Sequence, residues 1–241
     1  MSSRILLIVL LLAPLAAGAQ THVYLDRSLQ PSATPAKKVL FIPPDVAVSE
    51  ISAGGVIEKV PDWSKQAREH VMSALRKFAP GARFEIINVP TLTAAEQETL
   101  DQHVALYDLV AGNVKNNGLG GGQVWTKRLA SGLTDYTLGP GLAFLAEKTG
   151  ADTAMFVIVQ DFVSSSERKA MFVLGALFGV GLPLGRTFAV AGLVDLKSGK
   201  LLWQSYDTSA TPDMRVAADA DKVVQDLFKS FPGSATAAAG K

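Results

Sequence analysis

Ala154-Met155-Phe156-Val157-Ile158-Val159 is a continuous apolar run. Every side chain in it is hydrophobic, so it lacks the period-two alternation of a strand with one wet face. It predicts a strand covered on both faces, entered from Gly150-Ala151-Asp152. Two further strand patterns follow, Phe188-Ala189-Val190-Ala191-Gly192-Leu193-Val194-Asp195 and Leu201-Leu202-Trp203-Gln204-Ser205-Tyr206. The five residues between them, Leu196-Lys197-Ser198-Gly199-Lys200, predict a hairpin loop with a bulge, in which Gly199 takes the left-handed conformation. A two-residue Ser198-Gly199 loop would instead set Lys197 opposite Lys200, an unfavourable cross-strand pair.

Upstream, residues 20–38 are polar and carry Pro31 and Pro35, which predicts an extended lead-in outside the folded domain. Val39-Leu40-Phe41-Ile42, stopped by Pro43-Pro44, is the first expected strand. Residues 45–61 show no clear period, although Ala53-Gly54-Gly55 marks a turn. From Asp62, read as a cap, the stripe Ala67, Val71, Ala74, Leu75 and Phe78 predicts a helix. Residues 83–89 form a second strand. Thr93 with Glu96 is a capping box that opens a second helix, with Leu100, Val104, Tyr107, Val110 and Val114 on one face. Residues 141–148 predict a short helix closed by Gly150. After the hairpin, Thr211-Pro212 is expected to open a last helix whose apolar face runs from Val216 through Val223, Val224, Leu227 and Phe228 to Phe231.

The order of elements predicts an α/β fold: a single domain over residues 39–232 with a mixed sheet. Early βαβ units give parallel pairs, and the late hairpin is antiparallel. Residues 1–19 form a separate unit. Arg4 precedes the apolar run Ile5-Leu6-Leu7-Ile8-Val9-Leu10-Leu11-Leu12, and Ala17-Gly18-Ala19 follows as a small-x-small processing site. This is the order of a cleaved signal peptide, and eight strongly apolar residues are too few to span a bilayer. Residues 233–241, mostly Ala, Ser and Gly, read as a disordered tail.

Composition narrows the function classes. There is no cysteine, so disulfides, thiolate metal sites and a lipidated cysteine at the cleavage point are all excluded. An exported chain without cysteine fits the bacterial periplasm or secretion. Removal of residues 1–19 takes away one basic residue and no acidic one, leaving 22 of each. A net charge of zero supplies no overall field to recruit nucleic acid or anionic lipid.

No catalytic constellation emerges. His22, His70 and His103 are far apart and lack metal-ligand spacing, so no metal and no cofactor is expected. No Gly-x-Ser-x-Gly elbow occurs. Asp152 and Asp161 flank the central strand; the first suits a turn and the second the point where the strand leaves the core. Asn116-Asn117-Gly118-Leu119-Gly120-Gly121-Gly122 follows a helix rather than a strand and is not followed by Gly-Lys-Ser/Thr, which argues for a mobile loop over a phosphate cradle.

One segment stands apart. Residues 170–185 contain 16 consecutive residues without a polar side chain, preceded by Glu167-Arg168-Lys169 and followed by Arg186. As a helix it would be about 24 Å long, short of a full bilayer crossing. Two readings are open. The segment is a buried helical crossover packed on the sheet, or it is a surface that meets a membrane or another subunit, with Met171, Phe172, Leu174, Leu177 and Phe178 as candidate contacts.

Residues 39–44, the Gly150-Ala151-Asp152 step into a central strand, and Val194-Asp195-Leu196-Lys197-Ser198-Gly199-Lys200-Leu201-Leu202-Trp203 together resemble a group of bacterial envelope domains. The group comprises the curli-secretion lipoproteins, the N-terminal domain of the Tol–Pal propeller protein, and the lipoprotein activators of penicillin-binding proteins. In element order the resemblance covers roughly residues 37–231; at residue level it is confined to those three pieces. It implies a non-enzymatic α/β domain whose partners are other envelope proteins or further copies of itself. In the curli-secretion proteins, insertions between strands span the membrane. Here residues 169–185 fall between two strands, but they lack the alternation of a barrel strand, and the lipidated cysteine is missing. The alternative from another class is a small hydrolase or transferase that closes the glycine-rich loop 116–122 over a substrate.

Overall fold

The computed structural model describes residues 20–26, 38–79, 84–118, 133–181, 184–209 and 212–232. Residues 1–19, where a signal peptide is expected, the glycines at 120–122 and the expected tail 233–241 lie outside the described residues.

The sheet is built around β7 (Thr153–Ser164). On one side β7 runs parallel to β2 (Lys38–Phe41) and β3 (Asp45–Ile51). On the other it is antiparallel to β8 (Arg186–Asp195), which turns into β9 (Leu201–Ser209). The short β4 (Ile57–Lys59) edges β3, and β5 (Glu85–Asn88) pairs in parallel with β2. At the far side β1 (Gln20–Asp26) is antiparallel to β9 and parallel to β6 (Leu133–Thr134). The result is a mixed sheet in the order β4-β3-β7-β8-β9-β1-β6, with β2 and β5 beside the first half of β7.

Both faces are covered by helices, which is why β7 is apolar throughout. Met155, Val157 and Val159 enter one core, beneath α1 (Pro61–Phe78) and α5 (Ala217–Phe228). Ala154, Phe156 and Ile158 enter the other, beneath α2 (Ala94–Gly118) and α3 (Ala143–Thr149). The fold is the expected α/β class: a mixed sheet between two helical layers.

Several local expectations hold at the level of hydrogen bonds. The Thr93 N–H donates to Glu96 Oε2 at 2.8 Å and the Glu96 N–H to Thr93 Oγ1 at 3.3 Å, the reciprocal pair of a capping box. Gly150 closes α3 with φ of 68°. Gly199 closes the β8–β9 loop at φ of 70°, and Asp195 Oδ1 accepts from the Ser198 N–H and hydroxyl at 2.7 and 2.6 Å.

Others are corrected. Residues 20–26 form a strand instead of a lead-in outside the fold, with Val23 and Leu25 packed against the first core. The strand β2 does end before Pro43-Pro44, as expected, but the pairing with β7 does not stop there. Ile42, Pro43 and Pro44 stand opposite only Phe156 and Val157, as in a β-bulge, and the chain resumes pairing with β7 as β3. Prolines carry no N–H, so the ladder is interrupted there without losing its direction. The alternation of buried Val46 and Val48 marks β3, although it spans too few residues to read as a period. Helix α1 starts at Pro61 with Val60 as its cap residue, so Asp62 lies in the first turn. Helix α5 starts after Val216, and Pro212 lies in the loop before it.

Candidate contact surface

The 170–185 segment leaves the domain at the end of β7. Ser165 caps α4 (Ser166–Leu177): its hydroxyl accepts from the Arg168 N–H at 3.2 Å, and its own N–H donates to the Ile51 carbonyl at 2.9 Å. Arg168 is buried, and its Nη1 donates to the Ser52 carbonyl at 3.4 Å, tying the base of the helix to the β3–β4 turn. In the first turn the Glu167 carboxyl lies below its usual range, held there by its own backbone N–H and then by the Ser165 hydroxyl.

Beyond this base the helix rises away from the core, and Arg168 is its one buried residue. Met171 is 47% exposed, Leu174 60%, Leu177 75% and Phe178 83%; Phe172 is half-buried. The reading of a buried crossover is therefore overturned. A crossover must lie across a sheet face only when it returns to a parallel strand. β7 and β8 are antiparallel neighbours, so the insertion joins adjacent strand ends and is never drawn over a face.

The tip is a closed turn. Gly179, at φ of 74°, donates to the Ala176 carbonyl at 3.2 Å, and Val180 donates to the Gly175 carbonyl at 2.9 Å, the two bonds of a Schellman motif. At Gly175 a Cβ would come within 2.9 Å of the Val180 carbonyl, so glycine is what lets the returning chain lie against the helix. At the foot of the return, Gly185 abuts the Phe162 carbonyl with no room for a side chain. The arm is thus pinned at both legs and bare in between. Val56, at 67% exposure, adds an apolar point on the β3–β4 turn that holds its base.

The remaining candidates are not brought together. His70 Nδ1 lies 3.2 Å from the Met214 carbonyl, and His103 Nδ1 2.7 Å from that of Thr99, on different helices. Among the described residues no cluster of three His, Asp or Glu could hold a metal ion. Asp152 lies just before β7 and Asp161 within it, towards its far end. Asp161 is not at the edge of the core but inside it, 1% exposed. Its Oδ1 accepts from the Thr187 hydroxyl at 2.8 Å and its Oδ2 from the Met214 N–H at 2.9 Å. Burial raises its carboxyl above the usual range in spite of those two donors. Sequence reasoning missed this role, because the loop that covers Asp161 lies some fifty residues downstream. A shallow groove of about 290 Å³ also opens beyond the ends of β2 and β5, rimmed by Asp45, Arg68, Gln97 and Asp101.

No family model and no curated protein matches the chain. Solved structures similar to it include two of PelC. One is a PelC dodecamer from Paraburkholderia phytofirmans, 12% identical over 87% of this chain and 97% of that one, with a TM-score of 0.38. The other is a leucine-to-methionine variant of PelC from the same organism, also a dodecamer, 10% identical over 90% and 99% of the two chains, with a TM-score of 0.39. Neither is one of the three families that the hairpin motif resembles. At such identities and TM-scores the likeness says nothing about activity. Among the described residues no helix is long and apolar enough to cross a membrane.

Proposed function

We propose that this chain is an exported envelope protein that acts by binding or assembly, without catalysis, and that the α4 arm is its contact surface. The observation that carries the proposal is the run of large apolar side chains from Met171 to Phe178 standing in water on a rigidly anchored base. Exposed apolar surface on this scale is disfavoured unless something covers it in use. The leader-like pattern of residues 1–19 supports export. Envelope proteins or further copies of this chain are the partners that such a surface suits. The hydrolase or transferase alternative depends on the glycine-rich loop, of which residues 116–118 belong to α2 and 119–122 lie outside the described residues.

The test is the size of the purified protein by light scattering, with and without mild detergent, for the wild type and for Leu177→Asp/Phe178→Asp. The expected result is self-association or detergent uptake by the wild type that the double variant loses. A wild type that is monomeric, indifferent to detergent and recovers no partner from an envelope extract would overturn the proposal.

A further inference from the structure

Resting on that reading of the arm as a contact surface, we infer that its occupant is a lipid bilayer, into which the tip of α4 inserts to the depth of part of one leaflet. The first argument is the distribution of side chains around the helix. At 3.6 residues per turn, the exposed positions 171, 173, 174, 176, 177 and 178 cover an arc on the order of 220°. The remaining arc, at Phe172 and Gly175, is half-covered, and at Gly175 the cover is the returning chain at Val180. No polar stripe exists. A helix that docks on a partner protein keeps a polar side towards water; a helix surrounded by hydrocarbon needs none.

The second argument is length. From Ala170 to Phe178 the apolar helix rises about 13 Å, close to the roughly 15 Å of one leaflet's hydrocarbon. On the return, residues 179–181 and 184–185 are in neither helix nor strand, and irregular backbone is costly in hydrocarbon. That limits insertion to the tip, at the headgroup–acyl boundary where amphipathic anchors settle about 5–10 Å deep. Exposure supports this direction, rising from 47% at Met171 to 83% at Phe178.

The third argument is charge. Lys169 and Arg186, both exposed, stand one on each leg where the arm leaves the domain, with Glu167 in the first turn and Asp213 near Lys169 as neighbouring acids. With the tip inserted, both cations lie at headgroup level, so anionic lipid is preferred.

The experiment uses the full chain and large vesicles of phosphatidylethanolamine and phosphatidylglycerol, with phosphatidylcholine vesicles for comparison. Because the chain has no cysteine, Phe178→Cys carries an environment-sensitive dye at one defined place. The expected result is a blue shift on anionic vesicles, with quenching stronger from shallow than from deep nitroxide lipids. Leu177→Asp/Phe178→Asp should weaken partitioning by about tenfold or more with an unchanged melting temperature. Lys169→Glu/Arg186→Glu should weaken it on anionic vesicles only. The apolar stretch at residues 5–12 is common to all variants, so differences among them report the arm. Equal partitioning of wild type and folded double variant, with no dye shift, overturns the inference. If self-association in lipid-free buffer is then lost in the double variant, the arm is a subunit contact and the broader proposal stands. If nothing changes, both fall.

Discussion

The side chain of Tyr107 occupies the space that a Cβ at Gly192 would need: an added methyl would lie 2.6 Å from Tyr107 Cε2 and 2.7 Å from Cζ. Gly192 sits on β8 facing α2, and the Tyr107 ring packs on Phe156 with centroids 4.9 Å apart. Tyr107 is fully buried, so it cannot swing aside. Gly192→Ala should therefore cost about 1–3 kcal/mol by overpacking. Urea denaturation of the variant checks it, and combining it with Tyr107→Ala should recover part of the loss as non-additivity.

Asp161 makes stability pH-dependent in a definite direction. Its folded carboxyl titrates above its ordinary range because burial disfavours the charge. Its contribution is thus fully present below the unfolded carboxylate value of about 3.9 and is lost as pH rises through the higher folded value. Asp161→Asn can keep the geometry. The amide oxygen can accept from the Met214 N–H, the amide nitrogen can donate to Thr187 Oγ1, and that hydroxyl still reaches the Pro212 carbonyl at 3.0 Å. The expected outcome is a melting-temperature profile that lacks the wild type's decline through the acid range, whereas Asp161→Ala should cost about 1–3 kcal/mol by stranding the buried Met214 N–H.

Phe156 and Phe178 are the same residue type in opposite environments, 2% and 83% exposed. Phe156→Ala should cost about 3–5 kcal/mol, while Phe178→Ala should change stability by no more than about 0.5 kcal/mol. Parallel urea melts of the two variants check the pair. A large cost at Phe178 would mean that the arm belongs to the core after all.

Gly199 combines a left-handed backbone, φ of 70°, with direct contact between its α-carbon side and the Gly139 backbone. Gly199→Ala incurs both the conformational cost and a collision with atoms that cannot rotate away. A loss of at least about 2 kcal/mol is expected, with thermal unfolding as the measurement. It should exceed the effect of Gly179→Ala, where the left-handed strain is similar but no neighbouring atom lies within 4 Å.

What was legible in the chain is what neighbours in sequence settle between themselves. The Thr93–Glu96 box, the Gly150 cap, the Asp195–Gly199 loop and the doubly buried β7 all follow from local hydrogen bonding or from a run of side chains with one environment. The tertiary structure alone decided the rest. Val23 and Leu25 are too few to announce a strand, and β1 exists because β9 offers it an edge. The prolines at 43 and 44 look like an end until β7 is seen to pair on both sides of them. Asp161 is a surface-type residue until the loop carrying Met214 closes over it. The same holds for residues 170–178, where the sequence determined that the segment is apolar on every side but not what would surround it. That was decided by the antiparallel step from β7 to β8, which joins adjacent strand ends and leaves the helix no sheet face to cover. Hydrophobicity is a property of the side chain, whereas burial is a property of whatever surface the fold brings against it.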